Sequence, residues 1–216
     1  TANLQAVRLV AETRDAFPGT PVVISGCIGP RGDGYDASDA ISADESALYH
    51  APQIGSLTAG GADMISALTM TSADEAVGIT EAAVSAGIPV AISFTVETDA
   101  RLPSGQDLAD AVGEVDRRTD HGPVYYMVNC AHPTHLDGAL ESDAFSSGRV
   151  RGLRANASRM SHAELDDSDT LDDGDPAELG RQIADLRSRF APLTILGGCC
   201  GTDARHLAAI ADAVTA

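Results

Sequence analysis

Leu193-Thr194-Ile195-Leu196-Gly197-Gly198-Cys199-Cys200-Gly201-Thr202 joins an apolar run to a pair of cysteines held between glycines, and a helical pattern over Ala204–Val214 follows at once. Leu193–Gly197 reads as a buried strand, and Thr202 reads as a helix cap. The chemistry-bearing residues therefore sit in a tight turn at the C-terminal end of a strand. Outward from this unit the same pattern recurs. Pro21–Gly26, Asp63–Leu68, Pro89–Thr95, Val124–Asn129 and Arg149–Ala155 read as further strands. Helices are expected near residues 44–59, 72–86, 105–119, 176–190 and 202–214, with Ser42 or Asp44, Ser72, Asp175-Pro176 and Thr202 as start signals and Gly87 as a stop.

Strand–helix alternation implies βαβ units and a parallel sheet. The polar, glycine-rich stretches cluster after the strands: CIGPRGDG, TMTSADE, TVETDARLPSG, CAHPTH, NASRMSH and GCCGTD. A site assembled from the ends of many strands is the pattern of an α/β TIM (β/α)8 barrel. A doubly wound sheet gathers its site mainly at one switch point instead. Six strands are legible, so residues 1–216 read as a single, partial barrel domain. The two absent strands are expected to precede Thr1, because the chain opens inside a helical pattern (TANLQAVRLVAETRDAF) without an initiator Met. Six strands alone leave open sheet edges, which predicts poor solubility or association with further copies as a homo-oligomer.

The net charge is −18, from 32 acidic residues against 14 basic ones, and every basic residue is Arg. Such a surface opposes nucleic acid and anionic lipid as partners. No apolar run is long enough to span a membrane, and a cytoplasmic protein is expected. Four cysteines in that setting read as metal ligands or reactive thiols before disulfides. The acidic stretch Leu165–Asp175 reads as a solvated connector; its carboxylate spacing does not fit a calcium loop.

Cys130 closes the strand Val124–Asn129, so three thiols lie at the ends of two strands. Zinc takes thiolates tetrahedrally, and three protein ligands leave one position for a substrate. Gly198 and Gly201 permit the sharp bend that two adjacent ligands require. Spacing alone leaves two alternatives open, inert core cysteines and a vicinal disulfide.

GGCCGT after an apolar strand, with VNCAHP and SFTVETDARLPSG upstream and ISGCIGPRGDGY before them, resembles the homocysteine S-methyltransferase family from about Pro21 onward. The resemblance implies a TIM barrel with Zn2+ on Cys130, Cys199 and Cys200. It further implies transfer of a methyl group from a sulfonium or betaine-type donor to a small-molecule thiol, homocysteine foremost, giving methionine. The metal would supply a thiolate nucleophile at neutral pH. Asn129, Glu97, Asn156, Ser158 and Thr69 are the expected substrate-binding residues. Ser25 and Thr95 end strands on the same face, and Gly29 and Pro30 shape a loop there. His132 and His135 read as a solvent-facing turn around Pro133, and Cys27 as a buried or pocket-lining thiol outside the zinc set.

One departure stands out. The family commonly carries a glutamate that helps bind the amino group of homocysteine where this chain has Leu68, in Ala67-Leu68-Thr69-Met70-Thr71. Either another acid, Glu97 or Asp99, takes that role, or the acceptor is a different thiol. The competing reading is a zinc-binding or redox-sensing protein of the same fold without turnover.

Overall fold

Serine and aspartate caps divide the chain into its helices. Ser42 accepts from the Glu45 N–H while the Glu45 carboxylate bonds back to the Ser42 N–H, a full capping box. Ser72 caps onto Glu75, Asp107 onto Ala109 and Asp175 onto Glu178, with Pro176 in the first turn. The computed structural model describes residues 2–136 and 143–215. In order these form α1 (Ala2–Asp15), β1 (Ser25–Ile28), α2 (Ala43–Ala59), β2 (Met64–Met70), α3 (Ala73–Ser85), β3 (Val90–Phe94), α4 (Leu108–Thr119), β4 (Tyr125–Asn129), a 3-10 turn (Pro133–Leu136), α5 (Asp143–Ser146), β5 (Val150–Ala155), α6 (His162–Asp166), α7 (Pro176–Arg189), β6 (Ile195–Gly198) and α8 (Ala204–Thr215).

The strands lie in sequence order, β1-β2-β3-β4-β5-β6, and every neighbouring pair is parallel. Each strand thus continues the curl begun by the one before it, and all six C-terminal ends share one rim. This is a partial barrel of the expected class. Helices pack on its convex side. A Cβ on Gly26 would stand 2.9 Å from Leu57 of α2, so Gly26 faces the helices, while its neighbours Ser25 and Cys27 face the concave side and are exposed. Ile65, Val90, Ile92, Phe94, Tyr126, Val128 and Leu153 turn outward from the strands into the core and are almost fully buried.

Two helix crossings require glycine. A Cβ on Gly78 of α3 would lie 2.2 Å from the Ala43 carbonyl oxygen of α2, and one on Gly180 of α7 would lie 2.6 Å from the Ala209 carbonyl oxygen of α8. At the end of the sheet opposite the cysteines, a partly buried ion pair ties α4 to the residue that leads into β5. Arg149 donates to both carboxylate oxygens of Asp116 at 2.8 and 2.7 Å, and the Tyr126 hydroxyl adds a third bond at 2.8 Å. Burial opposes ionisation of Asp116, but the Arg149 and Tyr126 hydrogen bonds outweigh it and hold the carboxyl below its usual range.

The first strand begins later than its apolar run. Pro21 has no N–H to give a ladder, and the Ile24 N–H is taken by the Asp63 carboxylate at 2.7 Å. Pairing therefore starts at Ser25, opposite Met64. No helix among the described residues is long and apolar enough to cross a membrane.

Candidate metal centre at the strand ends

Cys130 follows β4 directly, and Cys199 and Cys200 follow β6. The intervening strand β5 is bonded to both, through Cys130 N–H to the Arg154 carbonyl at 3.1 Å and Cys199 N–H to the Ala155 carbonyl at 2.8 Å. Residues far apart in sequence are thereby brought onto one rim. Cys130 has φ +57° and Gly201 has φ +72°, so both turns leave their strands through the left-handed region. For Gly201 no side chain is admissible: a Cβ there would lie 2.7 Å from the Asp172 carbonyl oxygen.

The three sulfurs all lie within 4.8 Å of one another and form the potential metal-holding group among the described residues. Sγ of Cys130 is 2.9 Å from that of Cys199 and 3.2 Å from that of Cys200. All three are free thiols. The separations exceed a disulfide bond and fall short of the roughly 3.8 Å between two thiolates on one tetrahedral zinc with bonds of about 2.3 Å. The three sulfurs therefore need only a small outward movement to take a metal ion. The hydrogen bonds from Cys130 and then Cys200 push the Cys199 thiol far below its usual range, against the opposing effect of burial. The same bond to Cys199 pushes Cys130 up. One sulfur of the trio is thus set up to carry negative charge, and a soft, anionic three-sulfur donor set suits zinc.

Two neighbours support the trio. The Tyr35 hydroxyl donates to Cys130 Sγ at 3.1 Å, and burial followed by this bond keeps the phenol protonated. Tyr35 reaches the site from the loop after β1, where Gly34 leaves no space for a side chain above Thr69: a Cβ would be 2.7 Å from the Thr69 methyl. The Tyr35 ring lies against that of His162, with centroids 4.0 Å apart. His162 places Nε2 at 2.9 Å from the Cys130 carbonyl and Nδ1 at 2.9 Å from Glu97. Both ring nitrogens thus lie within hydrogen-bond distance of an oxygen.

The expected substrate-binding residues fall in three places. Asn129 and Thr69 lie against the cysteines: Asn129 Oδ1 accepts from the Thr69 N–H at 2.8 Å, and its Nδ2 donates to Thr69 Oγ1 at 2.8 Å and approaches Cys199 Sγ at 4.0 Å. Glu97 is engaged by His162 at the mouth of the site. Asn156 and Ser158 are buried, with Asn156 Oδ1 accepting from the Ser158 N–H and Ser158 Oγ donating to Asp172 at 2.6 Å. Asp99 accepts from the Arg101 N–H on an exposed loop.

Three expectations are corrected. His132 and Pro133, at the entry to the 3-10 turn, are buried rather than facing solvent, and burial pushes His132 down to about 4. His135 is half-buried and bonds the Arg159 carbonyl. Cys27 is exposed on the concave side of β1 rather than buried, and it stands outside the thiol cluster as expected. The acidic stretch is not merely a connector. Asp166, Asp169 and Asp172 line a cavity of about 350 Å³ together with Tyr35, His162, Asn156 and Cys200. Tyr35 and His162 close the stretches ISGCIGPRGDGY and NASRMSH, but neither reads as a site residue there, since their partners lie 95 and 65 residues away.

Comparison with known proteins agrees with this geometry. Crystal structures of the Escherichia coli homocysteine methyltransferase MmuM share the fold. Its oxidized form aligns with a TM-score of 0.76 at 19% identity, covering 97% of this chain and 69% of that one. Its metallated form gives 0.71 at 19% identity over the same shares. No curated protein sequence matches the chain. The family model described as homocysteine S-methyltransferase matches residues 1–214, so the chain belongs to the homocysteine S-methyltransferase family and is a methyltransferase.

Proposed function

We propose that the chain transfers a methyl group from a sulfonium or betaine-type donor to a small-molecule thiol at a zinc ion held by Cys130, Cys199 and Cys200, with homocysteine as the leading acceptor and methionine as its product. The convergence of three free thiols on one rim, beside an open cavity, carries this reading. Zinc bound there would leave one tetrahedral position for the acceptor's sulfur and lower its pKa, presenting a thiolate at neutral pH.

The chain's own side chains set up that encounter. Asn129 Nδ2 and the Tyr35 hydroxyl direct hydrogens at the ligand sulfurs Cys199 and Cys130, which moderates their charge. Asp166, Asp169 and Asp172 give the cavity beside Cys200 a negative lining, suited to a cationic donor. His162, bonded to Glu97, and Asn156 also line this cavity, and Ser158 holds the lining residue Asp172 from behind. The acceptor sulfur gains a carbon bond as the donor's bond to that methyl group breaks, and the bonding pair leaves with the donor, which becomes neutral or loses one positive charge. Methyl transfer from S-methylmethionine to homocysteine by zinc-loaded protein, assayed beside other thiols, tests the proposal. Zinc-dependent product formation that is lost in Cys199→Ser is expected. A zinc-loaded protein that methylates no thiol contradicts it and favours the redox-sensing alternative.

A further inference from the structure

The residues that alternate onto the concave face are small or uncharged. Ser25 and Ser66 share a hydrogen bond at 2.6 Å, Ser93 donates to Asn129 at 2.7 Å, and a Cβ on Gly152 would collide with Met127. Arg154 breaks this pattern. In the strand register it lies between Asn129 of β4 and Gly197 of β6, the two residues that directly precede Cys130 and the Gly198-Cys199 turn. Its Cγ is 3.7 Å from where a Cβ on Gly197 would stand, and its Nε donates to the Gly198 carbonyl at 3.4 Å. The side chain therefore runs along the floor of the site towards the cysteines. Its positive charge favours the thiolate of Cys199 and that of Cys27 across the open face.

No carboxylate among the described residues pairs with this guanidinium. Arg149, five residues earlier and directly before β5, shows the contrast with its bidentate bond to Asp116. A half-buried guanidinium keeps several donors in a planar fork, the geometry that fits a carboxylate. Of the acids near the site, Glu97 bonds His162 and Asp172 bonds Ser158, while Asp166 and Asp169 line the cavity beside Cys200, on the side assigned above to the cationic donor. Among the described residues, none of the six strands carries an acid that could receive an ammonium group on the concave face, and Leu68 contributes only hydrocarbon.

We propose that Arg154 binds the carboxylate of the thiol acceptor while the acceptor's sulfur sits at the three-cysteine centre, so that the acceptor is a mercaptocarboxylate whose amino group is dispensable. This rests on the thiol-methylation reading above. It names which end of the acceptor is recognised, and it makes homocysteine one member of a wider class.

Calorimetric titration of the zinc-loaded full chain with homocysteine, 4-mercaptobutanoate and 3-aminopropane-1-thiol tests it. The first two are expected to bind within about 3-fold of each other, and the aminothiol at least about 10-fold more weakly, as the loss of one charge-assisted hydrogen bond requires. Arg154→Gln is expected to erase that preference, and Arg154→Lys to keep part of it. The proposal is overturned if the wild-type chain binds the aminothiol as well as the acids, if no thiol binds, or if folded Arg154→Gln keeps the preference. The wild-type series decides the matter even where a variant fails to fold. Methyl transfer measured in the same samples separates the two readings. Carboxylate-dependent thiol binding without methylation leaves the role of Arg154 standing and removes the thiol-methylation reading.

Discussion

Asn129 clamps Thr69 at two points, accepting from its N–H and donating to its hydroxyl, both at 2.8 Å. Thr69 has φ +62°, an unfavourable conformation for a β-branched residue, and Cys130, next to Asn129, has φ +57°. The amide thus holds one strained residue while its own backbone leads into another, which is a metal-ligand candidate. Asn129→Ala leaves the Thr69 N–H and the Ser93 hydroxyl without their buried acceptor. A loss of about 2–4 kcal/mol in urea unfolding is expected. A loss below about 0.5 kcal/mol, the range of an unremarkable surface change, would contradict the clamp.

The buried pair of His50 and Glu75 anchors the loop that brings Tyr35 to the centre. Glu75 Oε1 lies 2.9 Å from His50 Nε2 and accepts from the Arg31 N–H at 2.7 Å, four residues before Tyr35. Glu75→Ala should therefore speed amide exchange across residues 31–35 by about 10-fold, the equivalent of one hydrogen bond. Zinc stoichiometry should not change, because all three thiols come from other elements. Exchange at the wild-type rate would show that the loop is held by something else.

Asp116 sets a pH dependence of stability. Its folded-state pKa is below the unfolded value, so its contribution is present above the unfolded pKa and is lost as pH falls through the folded one. Unfolding free energy should fall below about pH 4 in the wild-type protein. Asp116→Asn should cost about 2–4 kcal/mol near neutral pH and flatten that decline, since it strands Arg149. An acid limb of the same steepness in the variant would rule out Asp116 as its source.

Gly78→Ala tests the α2–α3 crossing. With the Ala43 carbonyl oxygen 2.2 Å from the added carbon, the two helices must separate. A cost of about 3 kcal/mol is expected in thermal or denaturant unfolding, against the small gain that Gly→Ala gives in an open helix. A stabilised variant would contradict the crossing.

The strand order and the rim of polar turns were legible because each strand carries its own apolar run and each turn its own glycines or caps. The three cysteines were legible because they end strands. What sequence could not reveal are contacts made only by folding. Nothing near Tyr35 announces Cys130, and nothing near His162 announces Glu97. A His-Pro-Thr-His stretch is polar in composition and reads as solvent-facing, whereas α7 packs over this turn and buries its first half. The apolar run from Pro21 suggests an earlier start for the first strand than the structure has, because Asp63 intercepts the Ile24 N–H. The acidic stretch reads as a connector because sequence does not show that it folds back beside Cys200.

Zinc K-edge absorption of the anaerobically purified chain, recorded with and without homocysteine, tests the central claim most directly. Three sulfur neighbours at about 2.3 Å and one lighter atom are expected in the free protein, and four sulfurs once the thiol is added. A spectrum with fewer than three sulfurs, or one that homocysteine leaves unchanged, would contradict a three-cysteine centre that activates a thiol.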